Sequence, residues 1–219
     1  IMPSLVGSEM CIRDSIKALL PFKMALAHQT SMMRKSLFDQ HNLRYDETFA
    51  SSNDRKLWID AMPYMQFHNL PEVLLKYRMY KGMTSQTKRD RVIAEAQRIR
   101  AQVYPHLGLK FSQPEQDIIN NYLMSGRAHI RNRETITAIG AILQKMSAAN
   151  HQRLFFGREE FDQVCGKYWF KRCLNYSFFG CRPARKIYLS HPLSQFNRHI
   201  SFSQRLLMQI MNLLFIIRG

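Results

Sequence analysis

The chain has 219 residues, and its 46% hydrophobic and 22% charged content is typical of a globular protein and excludes a disordered one. The formal net charge of +16 is unevenly distributed. Residues 1–75 hold eight basic and eight acidic residues, whereas residues 76–219 hold the other 24 of 32 basic and the other eight of 16 acidic residues. The second part is therefore expected to bind a polyanion, either nucleic acid or an anionic membrane surface, unless it is only a solvated basic face.

The first fifteen residues, IMPSLVGSEMCIRDS, lack the basic start and unbroken apolar run of a signal peptide. The string SLVGSEMCIRDS resembles a translated sequencing adapter, so we interpret residues 1–15 as non-native sequence. The native part of this sequence is then expected to start no earlier than about Ile16. The four cysteines include no Cys-x-x-Cys pair, which disfavours a zinc site and favours a reducing compartment such as the cytoplasm.

The region 16–85 is predicted to mix helix and strand. A helix is expected from Asp54, capped by Ser52 or Asn53 and ended by Pro63. The segments 65–70 and 71–80 are predicted as two strands, because the second alternates between two faces with a period of two.

The region 86–195 is predicted to be helical throughout. Ser112 and Glu115 have the spacing of a capping box, and Asn132 can cap a later helix. That helix carries apolar residues at helical spacing at Ile136, Ile139, Leu143 and Met146.

The tail 196–219 is predicted to form an amphipathic helix. Its polar and apolar residues separate onto two helical faces, which suits a helix lying at a membrane interface. The same pattern equally suits a helix that packs on the protein's own core. No stretch of about 18 apolar residues indicates a membrane-spanning helix.

The sequence contains no glycine-rich phosphate loop, no G-x-S-x-G, no H-E-x-x-H and no Asp-x-Asp. It does contain four linked segments in a fixed order: AHQTSMMRKSLF (27–38), LRYDETF (43–49), SNDRKLW (52–58) and FHNLPEVLLKYRMYKGMTS (67–85). Together these segments resemble the C-terminal half of the catalytic domain of family-two glycosyltransferases. Weaker similarity to bacterial members that make surface polysaccharides extends the resemblance over roughly residues 20–195.

The resemblance implies a fold class and a domain organisation. The expected fold is an α/β fragment, the C-terminal half of a GT-A nucleotide-diphospho-sugar transferase domain, over residues 16–85. A mainly α-helical basic region follows over residues 86–195, and the tail covers residues 196–219. On this interpretation the nucleotide-binding half lies upstream, and we expect the 219 residues alone to be inactive.

The resemblance also implies site residues. Asp54 matches the general base, which removes the proton from the acceptor hydroxyl. A plain helix N-terminal Asp that stabilises the helix dipole is the competing interpretation. Asn53 stands where the family usually has Glu. Further positions that match site-shaping residues are His28, Arg34, Trp58 and Arg78, although Trp58 is equally well explained as a core aromatic.

No metal ligand is expected within these residues. Tyr80 occupies a position where many members carry His, and a phenol is a poor ligand for a divalent cation at neutral pH. For the intact protein the resemblance implies a divalent cation, Mg²⁺ or Mn²⁺, which offsets charge on the departing diphosphate.

The partners implied are a nucleotide-diphosphate sugar and a glycan or lipid-linked acceptor. An anionic membrane surface is a further candidate, and it would place the protein in the cytoplasm, peripheral to the inner face of the plasma membrane. The alternative function is a non-enzymatic basic helical module that binds nucleic acid or an anionic membrane. Nucleic acid is the less favoured partner, because no nucleic-acid-binding motif accompanies the charge.

Overall fold

The computed structural model describes residues 13–70, 72, 74–76, 82, 87–124, 128–179, 184–197 and 206. The chain forms two compact units. Unit 1 comprises residues 1–106 and 155–157, and unit 2 comprises residues 107–154 and 158–219. Short 3₁₀ helices occur at His28–Thr30, Glu47–Phe49, Tyr104–Leu107 and Pro192–Phe196.

Unit 1 contains four of the described α-helices. They are α1 (Arg13–Leu19), α2 (Lys35–Gln40), α3 (Asn53–Ala61) and α4 (Arg89–Ala101). The predicted helix at Asp54 is confirmed as α3, whose residues Leu57, Trp58 and Ala61 are buried. Ser52 is the N-cap of this helix, but its side chain makes no capping hydrogen bond.

A buried carboxylate ties α4 to the turn that precedes α3. Glu95 of α4 accepts a hydrogen bond from the backbone N–H of Ser51 at 3.0 Å and an ion pair from Arg91 at 2.8 Å. Burial by itself would raise the pKa of Glu95, but the bonds from Arg91 and Ser51 outweigh it and the pKa is lowered. The start of α3 is therefore held in place by a charged group that stays ionised.

The predicted α/β fold of residues 16–85 is wrong for the described residues. Residues 65–70 and 74–76 have no regular secondary structure, and none of the residues that the structure describes belongs to a strand. Alternation along a segment is only a local preference, because a strand becomes stable when a neighbouring strand pairs with its backbone N–H and C=O groups. No such neighbour lies among the described residues. The rest of the second predicted strand falls outside them.

Unit 2 contains the longest helices. They are α5 (Gln113–Ile118), which continues as a π-helix (Ile119–Met124), α6 (Arg133–Arg153), α7 (Arg158–Phe179) and α8 (Ala184–Ser190). Helices α6 and α7 pack against each other, and α8 and the Pro192–Phe196 turn pack on α7. The predicted tail helix of residues 196–219 lies outside the described residues, apart from residues 196, 197 and 206.

The predicted caps of unit 2 are confirmed. Ser112 and Glu115 form the capping box of α5, with the Ser112 N–H donating to Glu115 Oε2 at 2.8 Å. Asn132 caps α6 by accepting the Thr135 N–H at 2.8 Å. The four apolar residues predicted to form one stripe of α6 are all fully buried: Ile136, Ile139, Leu143 and Met146.

A buried polar network joins α6 to α7. Asp162 of α7 accepts a hydrogen bond from the Ser147 hydroxyl at 2.5 Å and contacts His151 Nε2 at 2.6 Å. Arg158 lies 3.2 Å from the other ring nitrogen of His151. Asp162 lies between the serine and the histidine, so the three do not form a nucleophilic triad, in which histidine stands between the other two. Their role in the fold is to fix the register of two helices.

Two glycines let the chain after α8 approach the helix pair closely. A Cβ atom at Gly166 would lie 2.8 Å from the Leu193 carbonyl oxygen and 3.2 Å from the backbone of residues 196 and 197. A Cβ atom at Gly140 would lie 2.9 Å from His191 Nε2. The Pro192–Phe196 turn therefore rests directly on the backbone of α7.

We expect Gly166→Ala to destabilise the protein by roughly 1–2 kcal/mol. The new methyl group meets backbone atoms of the turn, which costs about 1–3 kcal/mol, and better helix propensity recovers only part of this. Denaturant unfolding of the purified variant measures the change. Lys167→Ala is the matched control on the exposed side of the same helix turn, and it should shift stability by less than about 0.5 kcal/mol. A variant as stable as the wild type would show that the turn does not rest on Gly166.

None of the helices in the described ranges combines the length and the hydrophobicity that crossing a membrane requires.

Candidate functional site

The first turn of α3 presents the predicted base. Asp54 is partly exposed, and its Oδ1 accepts the backbone N–H of Arg55 at 2.7 Å. Asn53, directly before it, is exposed and accepts the Asp54 N–H at 2.8 Å through its side-chain oxygen. A carboxylate in this position is stabilised by the helix dipole, and its second oxygen remains available to a ligand.

An aromatic cluster of His28, Tyr45, Trp58 and Phe67 lies in the same unit. The ring of His28 is 5.9 Å from that of Trp58 and 5.8 Å from that of Tyr45, edge to face in the second case. The Tyr45 hydroxyl and His28 Nε2 are hydrogen-bonded at 3.1 Å. Phe67 packs edge to face against Trp58 at 6.1 Å. We call these four residues the aromatic cluster.

Two polar atoms of the aromatic cluster are buried without a hydrogen-bond partner among the described residues. They are Nε1 of Trp58, a residue that is 3% exposed, and Nδ1 of His28. A buried donor without an acceptor costs about 1–3 kcal/mol, so such atoms are uncommon in folded proteins. An indole N–H and an imidazole nitrogen are together suited to a hydroxyl group, which both accepts and donates a hydrogen bond.

The structure brings several of the predicted site residues together. Asp54 and Trp58 are four residues apart in α3 and therefore share one helix face. His28 contacts Trp58, and Asn53 contacts Asp54. Helix α3 thus places the predicted base one turn from Trp58, which contacts His28.

Other predicted residues lie elsewhere. Arg34 is exposed at the N-cap of α2, and within the described part of the chain its side chain makes no hydrogen bond or ion pair. Arg78 and Tyr80 fall outside the described residues, so their predicted roles stay predictions.

Tyr45 was not predicted as a site residue. It lies within the segment LRYDETF that carries the resemblance, yet its contact with His28 joins residues 17 positions apart. Phe67 was not predicted either, because it contacts Trp58 from a segment beyond the end of α3. The only available signal was the position of both residues inside the linked segments.

Unit 1 contains an open cleft of about 570 Å³ that shares one residue with the aromatic cluster. Tyr45 belongs both to the cleft and to the aromatic cluster. His41 and Tyr64 stack on each other in the cleft, with ring centroids 4.0 Å apart. The cleft is also lined by Arg44, Asp46, Asp60, Gln102 and His106.

The cleft carries little positive charge. Arg44 faces Asp39 at 3.5 Å and donates to the Leu43 carbonyl at 2.8 Å, while Asp60 is paired with Lys56. Burial and the nearby Lys17 lower the pKa of His106, so this ring stays neutral near pH 7. The lining suits a neutral polar ligand better than a phosphate.

The carboxylate of Asp46 is hydrogen-bonded within its own turn. Its Oδ1 accepts the hydroxyl of Thr48 at 2.6 Å and the backbone N–H of Thr48 at 2.9 Å. These two bonds lower the pKa of Asp46. The carboxylate therefore shapes the edge of the cleft and is a poor proton acceptor.

Asp54 does not line the cleft. Asp60 and Tyr64 follow Asp54 by six and ten residues, so at about 100° per residue Asp60 projects from α3 roughly 120° away from Asp54.

The described residues do not fit a catalytic metal. They contain no group of three or more His, Cys, Asp or Glu side chains placed to hold one. The carboxylate of Asp54 accepts the N–H of Arg55.

Comparison with protein-family models, with curated protein sequences and with solved structures found no match.

Proposed function

We propose that this chain belongs to an inverting glycosyltransferase similar to family two, and that unit 1 handles the acceptor hydroxyl. The donor would be a nucleotide-diphosphate sugar, and the acceptor a glycan or a lipid-linked sugar. The proposal rests on the four linked sequence segments and on the surroundings of Asp54, and it does not depend on strands, which are absent from the described residues.

One observation carries the proposal. A partly exposed carboxylate shares a face of α3 with a buried indole N–H that has no partner among the described residues. A carboxylate beside a hydrogen-bond donor can hold an acceptor hydroxyl in position, because the donor binds the oxygen and the carboxylate accepts the proton.

The reaction requires only one proton acceptor from this chain. The acceptor oxygen attacks the anomeric carbon from the face opposite the leaving group, and Asp54 takes its proton. A new C–O bond forms while the bond from the anomeric carbon to the diphosphate breaks, and the electron pair of that bond leaves on the diphosphate oxygen. Attack from the opposite face inverts the anomeric configuration.

The open cleft supports a glycan acceptor longer than one sugar. Stacked aromatic side chains such as His41 and Tyr64 offer an apolar surface for the C–H face of a sugar ring, and the carboxylate of Asp60 accepts bonds from hydroxyls. Tyr45 links this surface to the aromatic cluster, so the acceptor would extend from the cleft toward Asp54.

The divalent cation that the resemblance implies finds no ligand cluster in the described residues. No step of the reaction above is routed through it. We propose that the protein works on the cytoplasmic side of the plasma membrane, where lipid-linked acceptors are found.

The test is a transfer assay on the protein encoded by the complete open reading frame from which this sequence comes. It is supplied with a panel of nucleotide-diphosphate sugars and a membrane extract as the acceptor source. We expect release of nucleoside diphosphate that depends on the acceptor. The 219-residue chain, measured in parallel, is expected to release none.

Two results would contradict the proposal. One is the absence of turnover with every donor in the panel, and the other is turnover that does not require an acceptor. A non-enzymatic basic module, the second candidate, is favoured by the net charge of +16 and predicts the first of these results.

A further inference from the structure

The last quarter of the sequence contains no acidic residue. Residues 163–219 hold nine Lys or Arg and no Asp or Glu. In such a segment no neighbouring carboxylate along the chain offsets the cations. A run of this kind attracts an anionic partner over distances of about a Debye length.

Helix α7 displays part of this charge on one exposed face. Lys167, Lys171 and Phe178 follow one another at spacings of four and seven residues, which places them in a single stripe. All three are exposed. By contrast, Arg172, which lies outside this stripe, is buried and donates to the Tyr122 carbonyl at 3.0 Å.

The C-terminal end of α7 exposes two adjacent aromatic rings. Phe178 is 46% exposed and Phe179 is 43% exposed. The ring of His129 stacks on Phe179 at 3.7 Å, and the N–H of Ile130 donates to Asn175 at 2.8 Å. These contacts hold the segment 128–131 against α7, and its residue Arg131 is exposed.

Helix α8 repeats the pairing of a cation with an apolar side chain. Leu189 is 55% exposed and lies one turn after the exposed Arg185, with Lys186 also exposed. Unit 2 therefore exposes apolar side chains close to basic residues. Neither the part of α7 that follows Asp162 nor α8 contains an acidic residue.

We propose that this basic–aromatic face, formed by Lys167, Lys171, Phe178, Phe179 and Arg131, binds the headgroup layer of an anionic bilayer. Phenylalanine rings enter the boundary between headgroups and acyl chains, and each neighbouring cation adds attraction to anionic lipid. The exposed Leu189 favours a bilayer over nucleic acid, because an aliphatic side chain does not stack on bases. The inference is independent of sugar transfer.

The experiment is co-sedimentation of the full 219-residue chain with vesicles. Mixed phosphatidylcholine–phosphatidylglycerol vesicles are compared with pure phosphatidylcholine vesicles at two salt concentrations. We expect binding to the anionic vesicles only, and weaker binding at the higher salt concentration.

Two double variants separate the two contributions. Phe178→Ser with Phe179→Ser should weaken binding roughly tenfold, because the apolar contact is lost. Lys167→Gln with Lys171→Gln should weaken it about fivefold for each cation removed. Far-ultraviolet circular dichroism and a thermal melt establish that each variant is folded.

Matched controls remove the same kinds of side chain, apolar or cationic, at exposed positions outside the basic–aromatic face. Met32→Ser with Met33→Ser removes two exposed apolar side chains, and Arg89→Gln with Lys110→Gln removes two exposed cations. Both controls should bind vesicles within about twofold of the wild type, apart from the general effect of net charge.

Three outcomes would overturn the proposal. The first is unchanged vesicle binding by the folded phenylalanine variant, which would assign binding to another segment such as the tail. The second is equal binding to neutral and anionic vesicles. The third is tight binding of a labelled oligonucleotide without vesicle binding, which would identify the face as a nucleic-acid site.

Discussion

Replacing Asp54 with Asn is expected to slow sugar transfer by about 10²- to 10⁴-fold in the protein expressed from the complete reading frame. This range is the usual contribution of a positioned general base, and an amide has almost the same shape as a carboxylate but does not accept a proton. The measurement is the rate of nucleoside diphosphate release at saturating donor and acceptor. Because the change removes proton transfer in the transition state, it should lower kcat more than it raises KM.

The matched control for this variant is Asp90→Asn. Asp90 is also an acidic residue in the first turn of a helix, α4, and it is exposed. Both substitutions remove a favourable interaction with a helix dipole, worth about 0.3–1 kcal/mol. A loss of activity caused only by a weaker helix would therefore appear in both variants. Full activity of Asp54→Asn would remove Asp54 from the mechanism.

Replacing Asp162 with Ala is expected to destabilise the protein by about 3 kcal/mol or more. The carboxylate is buried and is the partner of both the Ser147 hydroxyl and His151 Nε2, so its removal leaves the buried hydroxyl without its acceptor and breaks the contact with His151. Denaturant unfolding measures the loss as a shift of the midpoint. Glu134→Ala, an exposed first-turn residue of α6, serves as the control and should cost less than about 1 kcal/mol.

A further variant separates the effect of removing the carboxylate from the effect of leaving its two partners without a hydrogen bond to it. Replacing Asp162, Ser147 and His151 together with apolar residues of similar volume removes the groups that Asp162→Ala leaves unpaired. This triple variant should be more stable than Asp162→Ala, because apolar replacement of a whole buried network is often nearly neutral. If Asp162→Ala costs less than about 0.5 kcal/mol, the network does not hold α6 and α7 together.

Features that depend on neighbouring residues in the sequence were predicted well. The capping box of Ser112 and Glu115, the Asn132 cap and the buried stripe of α6 each involve residues within about three helical turns. Local spacing determines such features because the interacting atoms are brought together by the helix itself. The position of Asp54 beside Trp58 follows for the same reason.

Features that depend on distant residues were missed or wrongly predicted. The alternation in residues 71–80 indicated a strand, yet the described residues 74–76 are not part of one, because pairing requires a second segment that spacing along the chain does not reveal. The contact between His28 and Tyr45 joins two separate segments. The network at Asp162 joins two helices, and its serine and histidine look like ordinary polar residues of α6 until α7 packs against them.

The close packing of the Pro192–Phe196 turn on Gly166 also has a consequence for how this part of unit 2 opens. Because the Leu193 carbonyl lies against the backbone of α7 with no side chain between them, a small outward shift of the turn already weakens its packing. Detachment of the turn would also uncover the rings of Trp169 and His191, which pack beside Gly140. We therefore expect the turn and the middle of the two long helices to open as one cooperative unit, whose amide protons exchange with solvent together.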